Sequence, residues 1–338
     1  MKSVLVCLYE DRPQQIPGIK LTILSLTKHH PHLPISLICP IIDTQFHHWL
    51  SKYPQVSLRT DRPSGAGSYN VKPTVLIAGL QSGAEECIWL DTDVLVNHSI
   101  LDLVTAPPET IIVTQDPWET ASGSSYRAGS WGFVVGRDLP GSLNSSVIRV
   151  THQHQALLQH WLELTQQPEY LAAQKQPAHQ RPSHLLSDQD LLSALLASQD
   201  YAHFPVKRLF HGRDILQHHG AGAYTLKERS QTIFNKLPPF LHAMGSVKPW
   251  QVNEHPSPFT NFRQYYERVY LELSPYVHVA RQYRQLMEEP TPWMDVQTLA
   301  GKLSTLLWLN QPSLKGITQA SLHRFAWKVR NTIKGNYS

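Results

Sequence analysis

Short apolar runs rich in Val, Ile, Leu and Cys recur along the first third of the chain, at Val4–Leu8, Ile35–Cys39, Val56–Leu58, Cys87–Leu90 and Ile111–Thr114. Each is shorter than a globular helix and is bounded by turn residues, so each predicts a strand. Stretches of helical character separate them, and the alternation predicts an α/β fold on a mostly parallel, Rossmann-like sheet with flanking helices. The separator from Arg59 to Ser68 is rich in Gly, Ser and Pro, and Pro73 then opens a helix reaching about Leu80. Pro suits a first helical position because its missing N–H has no partner there in any case. Lys72 is thereby delivered beside a helix N-terminus.

After Thr114 the pattern changes. Trp118–Ser130 reads as loop, Trp131–Val135 and Leu143–Val150 as strands, and Gln153–Leu164 as an amphipathic helix. Gln167–Leu185, with several Gln, His and Pro, reads as a flexible excursion. Ser187-Asp188-Gln189-Asp190 is a capping-box pattern that starts a helix through Leu191, Leu192, Leu195 and Leu196. Beyond Trp250 the chain turns helical, with breaks at Pro290–Pro292 and Pro312, which divides residues 1–250 from a helical extension, 251–338. In its last helix Leu322, Phe325, Ala326, Val329 and Ile333 share one face, and Arg324, Lys328 and Lys334 lie mostly off it. Such a basic amphipathic helix lies on an anionic membrane or packs its stripe on the domain, and the pattern fits both.

The composition is ordinary for a globular protein: 338 residues, 41% hydrophobic and 17% charged, with a net charge of +4. Six Lys and Arg and no Asp or Glu fall between Val296 and Ser338, so the remainder is net negative. Basic character confined to one end tells against a nucleic-acid groove and for an anionic surface met by that end. An odd count of three cysteines, without a secretory pattern at Met1–Tyr9, predicts reduced buried thiols in the cytoplasm. No apolar run approaches the roughly 20 residues that cross a bilayer, so any membrane contact is expected to be peripheral.

Two stretches carry chemistry. In Ile88-Trp89-Leu90-Asp91-Thr92-Asp93-Val94 two carboxylates interrupt an apolar run at a strand end, where open α/β sheets bind ligands. Carboxylates at this spacing can share a hard cation, Mn²⁺ or Mg²⁺, which can accept a diphosphate. Alone the pair means little, since roughly one Asp-x-Asp arises by chance in a chain of this length. The second stretch, His242-Ala243-Met244-Gly245-Ser246-Val247-Lys248-Pro249-Trp250, adds an imidazole ligand, a glycine that lets backbone approach phosphate, and an ammonium group. Five fixed residue types at that spacing arise by chance on the order of once in ten thousand such chains.

Together the two stretches resemble the GT-A glycosyltransferases of glycosyltransferase family 8, the glycogenin and bacterial lipopolysaccharide galactosyltransferase group. The resemblance spans roughly residues 1 to 250. It implies a retaining hexosyltransferase that uses a UDP-sugar donor, UDP-glucose or UDP-galactose, and a glycan or lipid-linked acceptor. Asp91, Asp93 and His242 match the positions that hold Mn²⁺, and Gly245 and Lys248 those that contact the diphosphate. Asn144-Ser145-Ser146 resembles the family's Asn-Ser-Gly strand, and Ser187-Asp188-Gln189 its Asp-Gln segment near the donor sugar, so Asp188, Gln189 and Asn144 are the catalytic candidates. Lys72, in Tyr69-Asn70-Val71-Lys72-Pro73, stands where the family has Arg. Tyr9, in Tyr9-Glu10-Asp11, and Thr92 complete the donor-contact set. Ser146 replaces the family's usual Gly, and the Asp/Asn loop expected after strand one is absent. A first-turn Asp188 is also what a helix macrodipole favours, whatever its function. Two rivals remain: a phosphohydrolase of the haloacid dehalogenase type, whose Asp-x-Asp follows its first strand rather than a later one, and a non-catalytic nucleotide-sugar-binding protein.

Overall fold

The structure is a computed structural model and describes residues 3–63, 68–101, 105–117, 123–220, 224–233, 236–254 and 262–335. Its strands are β1 (Val4–Tyr9), β2 (Ile35–Ile38), β3 (Val56–Arg59), β4 (Glu86–Leu90), β5 (Val94–Val96), β6 (Ile111–Gln115), β7 (Leu143–Thr151), β8 (Val206–Leu209), β9 (Ile215–Gln217) and β10 (Phe240–His242). Contacts divide the chain into two units: Met1–Ile19, Leu26–Thr92 and Ser99–His211 form the first, and Lys20–Ser25, Asp93–His98 and Gly212–Ser338 the second.

The first unit is α/β. Its seven-stranded sheet has the order β3-β2-β1-β4-β7-β6-β8, parallel throughout except for β7, which runs against both neighbours. β4 and β7 are buried at every position, as expected of central strands covered on both faces, whereas β3 at the edge is only half-buried. The helices α1 (Ile16–His29), α2 (Thr44–Leu50), α3 (Lys72–Gln81), α4 (Ser124–Ser130), α5 (Gln155–Thr165), α6 (Pro168–Gln174) and α7 (Asp188–Ala197) accompany it, α1 contributing its middle residues to the second unit. α3 approaches the sheet closely at Gly79, where an added Cβ would come within 2.8 Å of the Cys87 sulfur and 2.9 Å of that of Cys7. All three thiols are free and buried, as expected.

The second unit holds a three-stranded sheet, β5-β10-β9, and α8 (Leu226–Thr232), α9 (Phe262–Leu273), α10 (Pro275–Ala280), α11 (Arg284–Met287), α12 (Leu299–Leu307) and α13 (Ile317–Gly335). The expected helical character after Trp250 is therefore present. No helix among the described residues is long and apolar enough to cross a membrane.

Three expectations need correction. Trp131–Val135 is not a strand: Gly132, at φ +76°, ends α4, Phe133 N–H returns to Ala128 O at 3.0 Å, and only Val135 makes an isolated bridge, to Ser198. The run has β-forming residues, but the turn hydrogen bonds win. Of the segment read as loop, residues 118–122 lie outside those described, and Ser124–Ser130 is α4. That helix has no apolar periodicity; Arg127 on α4 and Asp190 on α7 fix it through a buried ion pair of 2.8 Å. Within Gln167–Leu185 the chain forms α6 and two 3₁₀ turns. Arg181 organises it by donating to Gln174, Gln176 and Leu186, and buried Tyr170 by donating to Asn70 Oδ1 at 2.6 Å.

Candidate active site

β4 ends at Leu90 and β5 begins at Val94, so Asp91-Thr92-Asp93 is the whole joint between them. In the first unit Asp91 is held by its backbone N–H to Ser146 O at 2.9 Å and by Trp89 Nε1, which donates to Oδ1 at 2.7 Å. Lys72, in the first turn of α3, lies 3.3 Å from that same oxygen and 3.3 Å from Asp188 Oδ2. It donates to Ser145 Oγ at 2.5 Å, and Ser145 donates in turn to Asp188 Oδ2 at 2.9 Å. Burial alone would lower the Lys72 pKa, but Asp188 and Asp91 raise it above the ordinary value, so it stays charged. Burial raises the Asp188 pKa, and Lys72 and Ser145 offset this only in part.

The first turn of α7 is set by Asp190, whose Oδ2 accepts from Ser187 N–H at 3.0 Å and Ser187 Oγ at 2.9 Å while Oδ1 takes Arg127. This arrangement aims Asp188 at Lys72. Gln189 Oε1 accepts from Asn144 Nδ2 at 3.3 Å, and Asn144 Oδ1 accepts from Ser146 N–H at 3.0 Å. The three catalytic candidates, Asp188, Gln189 and Asn144, thus stand together with Lys72 and Asp91. Two donor-contact candidates have their hydroxyls engaged within the protein: Tyr9 donates to Asp11 at 3.0 Å and Thr92 to Glu10 at 2.6 Å.

In the second unit β10 ends on His242, opposite Val94 in the antiparallel pairing with β5, and Ala243 N–H donates to Asp93 O at 3.0 Å. That register brings His242 Nε2 to 3.3 Å from Asp93 Oδ1. Lys248 pairs with Asp93 Oδ2 and donates to Ala243 O at 3.0 Å. Burial alone would raise the Asp93 pKa, but Lys248 and His242 outweigh it and hold the carboxyl well below its usual range. Gly245 has φ +127°, a conformation that side chains rarely adopt, and a Cβ built there meets only the His218 ring, 3.7 Å away. His218 has φ 77° and accepts from Gly220 N–H through Nδ1 at 2.9 Å. Its neighbour His219 is pushed down to about 3 by burial, with further lowering from His218 and Lys248.

Asp91, Asp93 and His242 each offer a ligand atom, all within 4.8 Å of one another, a group able to hold a metal ion. The donor set suits one: carboxylate oxygens and an imidazole nitrogen are both established ligands of divalent metals. Trp89 and Lys72 both engage Asp91 at Oδ1, leaving Oδ2 for a ligand bond. His242 Nδ1 is buried with no hydrogen-bond partner among the described residues, so no donor occupies Nδ1 and forces the ring proton onto Nε2, the nitrogen that faces Asp93.

No protein-family profile matches this sequence, and no curated protein matches it. Solved structures do resemble it. The galactosyltransferase LgtC, crystallised with donor and acceptor sugar analogues, gives a TM-score of 0.48 at 15% identity, over 86% of this chain and 98% of that one. The glycosyltransferase GlyE of Streptococcus pneumoniae TIGR4 gives 0.46 at 17%, over 86% of this chain and 66% of its own. For the bifunctional glycosyltransferase WbbM the values are 0.48 and 14%, over 87% of this chain and 50% of that one.

Ser145, Arg127 and the His218–His219 pair were not singled out by the sequence. Ser145 stands inside the quoted Asn144-Ser145-Ser146, and strand alternation would have separated it from its neighbours. The adjacent histidines follow Ile215–Gln217, a strand too short to announce itself. Arg127 carries no local signal at all.

Proposed function

We infer that this chain is a metal-dependent, retaining glycosyltransferase of the GT-A class that moves a hexose from a UDP-sugar to a glycan or lipid-linked acceptor. The observation that carries this reading is the meeting of His242 with Asp93, across a long stretch of sequence, beside a second carboxylate. Residues 1–250 would bind the donor and perform the chemistry, and 251–338 would meet the acceptor or a surface at the cytoplasmic membrane face.

A cation held by Asp91, Asp93 and His242 would neutralise the diphosphate as the sugar leaves it. The protein's own residues supply the rest. Asp93, its pKa depressed, is ionised at any working pH. Lys248 reaches Asp93 from a turn whose Gly245 leaves room for phosphate oxygens, so its ammonium can pass from carboxylate to diphosphate. Lys72 and Ser145 both bind Asp188 at Oδ2, which leaves Oδ1 to orient a sugar hydroxyl. Asn144 and Gln189, already paired, offer amide groups beside it. The diphosphate itself is the base we favour for the acceptor hydroxyl, since among the described residues Asp188 is tied to Lys72.

The test is a screen of nucleotide sugars for Mn²⁺-dependent release of nucleoside diphosphate, with and without membrane extract. Release from a UDP-hexose that chelator abolishes supports the reading. Tight nucleotide binding without hydrolysis or transfer would leave a binding protein, and a trapped aspartyl-phosphate would make it a phosphohydrolase.

A further inference from the structure

α12 is an amphipathic helix turned inside out. Leu299, Leu303, Leu306 and Leu307 follow the i, i+4, i+7, i+8 spacing of one helical face, and all four are exposed, Leu306 at 73%. Leu309, just beyond, is 84% exposed. The face turned inward carries Gly301 and Ser304 instead.

The cause is a buried carboxylate. Glu272 on α9, fully buried and paired with Arg268 at 3.0 Å, accepts from Gln297 N–H at 2.8 Å and Thr298 N–H at 3.1 Å. Thr298 caps α12 through Gly301 N–H at 3.0 Å. A Cβ on residue 301 would fall 2.1 Å from Glu272 Oε2, so any larger residue would have to displace the carboxylate from the partners that hold it. The helix is thus clamped by its first turn with small residues inward and leucines outward.

α13 continues the theme. Tyr270 donates to Gln319 O at 2.9 Å and buried Ala320 anchors the first turn. Beyond it Leu322, Phe325 and Val329 are exposed, as are Arg324, Lys328 and Arg330, with Lys302 exposed on α12. No Asp or Glu occurs from Val296 to Ser338.

We propose that α12 and α13 form a docking surface for an anionic lipid bilayer, with the α12 leucines entering the headgroup region and the basic residues meeting lipid phosphates. Exposed leucines and cations, in a stretch of chain that carries no carboxylate side chain, have the chemistry of interfacial helices. A second copy is disfavoured as occupant, because a two-fold pairing of this face would bring together two patches that each carry only positive side-chain charge from Val296 onward. The α12 face deepens the expectation for the last helix by supplying the apolar element, and it rests on no part of the transfer chemistry.

The test is flotation of the full chain with vesicles of phosphatidylcholine alone or with phosphatidylglycerol added, at low and raised salt. Binding is expected only with phosphatidylglycerol, weakening with salt. Arg324→Gln with Lys328→Gln should lower partitioning about thirtyfold, at ~1 kcal/mol per cation. Leu303→Asn with Leu306→Asn should abolish flotation while leaving the circular dichroism and nucleoside diphosphate release unchanged. No flotation of folded wild-type chain with anionic vesicles overturns the proposal. So does a concentration-dependent dimer, seen by sedimentation, that the leucine variant dissolves. Vesicle binding and diphosphate release are separate readouts, so failure of one leaves the other standing.

Discussion

Replacing Lys72 by Met removes one positive charge from between two carboxylates while keeping the packed volume. At 3.3 Å from both Asp91 and Asp188, and with an effective dielectric of about 20, each attraction is about 5 kcal/mol gross. Desolvation of the buried groups cancels much of this, and removal of one partner of a buried pair leaves a net cost of about 3–5 kcal/mol. Asp188 then loses the main group that opposes its burial, so its already raised pKa rises further. Asp188→Asn should cost less than Lys72→Met, because Lys72 keeps Asp91. The double variant should fall short of the summed losses by at least ~1 kcal/mol, since the Asn no longer strands a charge. Urea unfolding of the three variants and wild type measures the cycle. Strict additivity, or a Lys72→Met cost below ~1 kcal/mol, would refute Lys72 as the shared counter-ion.

Asp93→Ala should cost roughly 3 kcal/mol of transition-state stabilisation, over a hundredfold in kcat/KM, and near-normal turnover at saturating Mn²⁺ would contradict this. His154 accepts Thr151 N–H at Nδ1 (3.0 Å), so the neutral ring carries its proton at Nε2, toward Glu109 O (3.1 Å). Burial pushes its pKa from 6.5 down to about 4, so the unfolded chain binds more protons in that window. Its contribution is therefore complete above 6.5 and declines toward pH 4, by on the order of 3 kcal/mol; unfolding free energies of His154→Gln across that range should have the shallower slope. Gly79→Ala should destabilise by about 1–3 kcal/mol through contact with the Cys7 and Cys87 sulfurs, and Cys87→Ala should recover part of it in a thermal melt.

What was legible in the sequence was what repeats or what is chemically rare. The five early strands announced themselves through short apolar runs, and α7 through Ser187-Asp188-Gln189-Asp190. The two motifs marked Asp91, Asp93 and His242, which the fold gathers into one group. Elements fixed by side-chain hydrogen bonds left no periodic trace: α4 depends on Arg127 meeting Asp190, and α6 lies beside turns that Arg181 ties down. β9 and β10 have three residues each, too few for a period to emerge, yet they carry His242 and lead into His218. The outward leucines of α12 reverse the usual reading of an amphipathic stripe, because Glu272, distant in sequence, chooses the inward face.

The central claim is that one cation is bound by the carboxylates around position 91 and the imidazole at 242. Electron spin-echo spectroscopy of stoichiometric Mn²⁺ on the purified chain with UDP present tests it most directly. Coupling to an imidazole nitrogen that vanishes in His242→Ala, with binding weakened in Asp93→Ala, is the predicted result. Tight Mn²⁺ binding with no nitrogen coupling, or coupling that survives in His242→Ala, would contradict it.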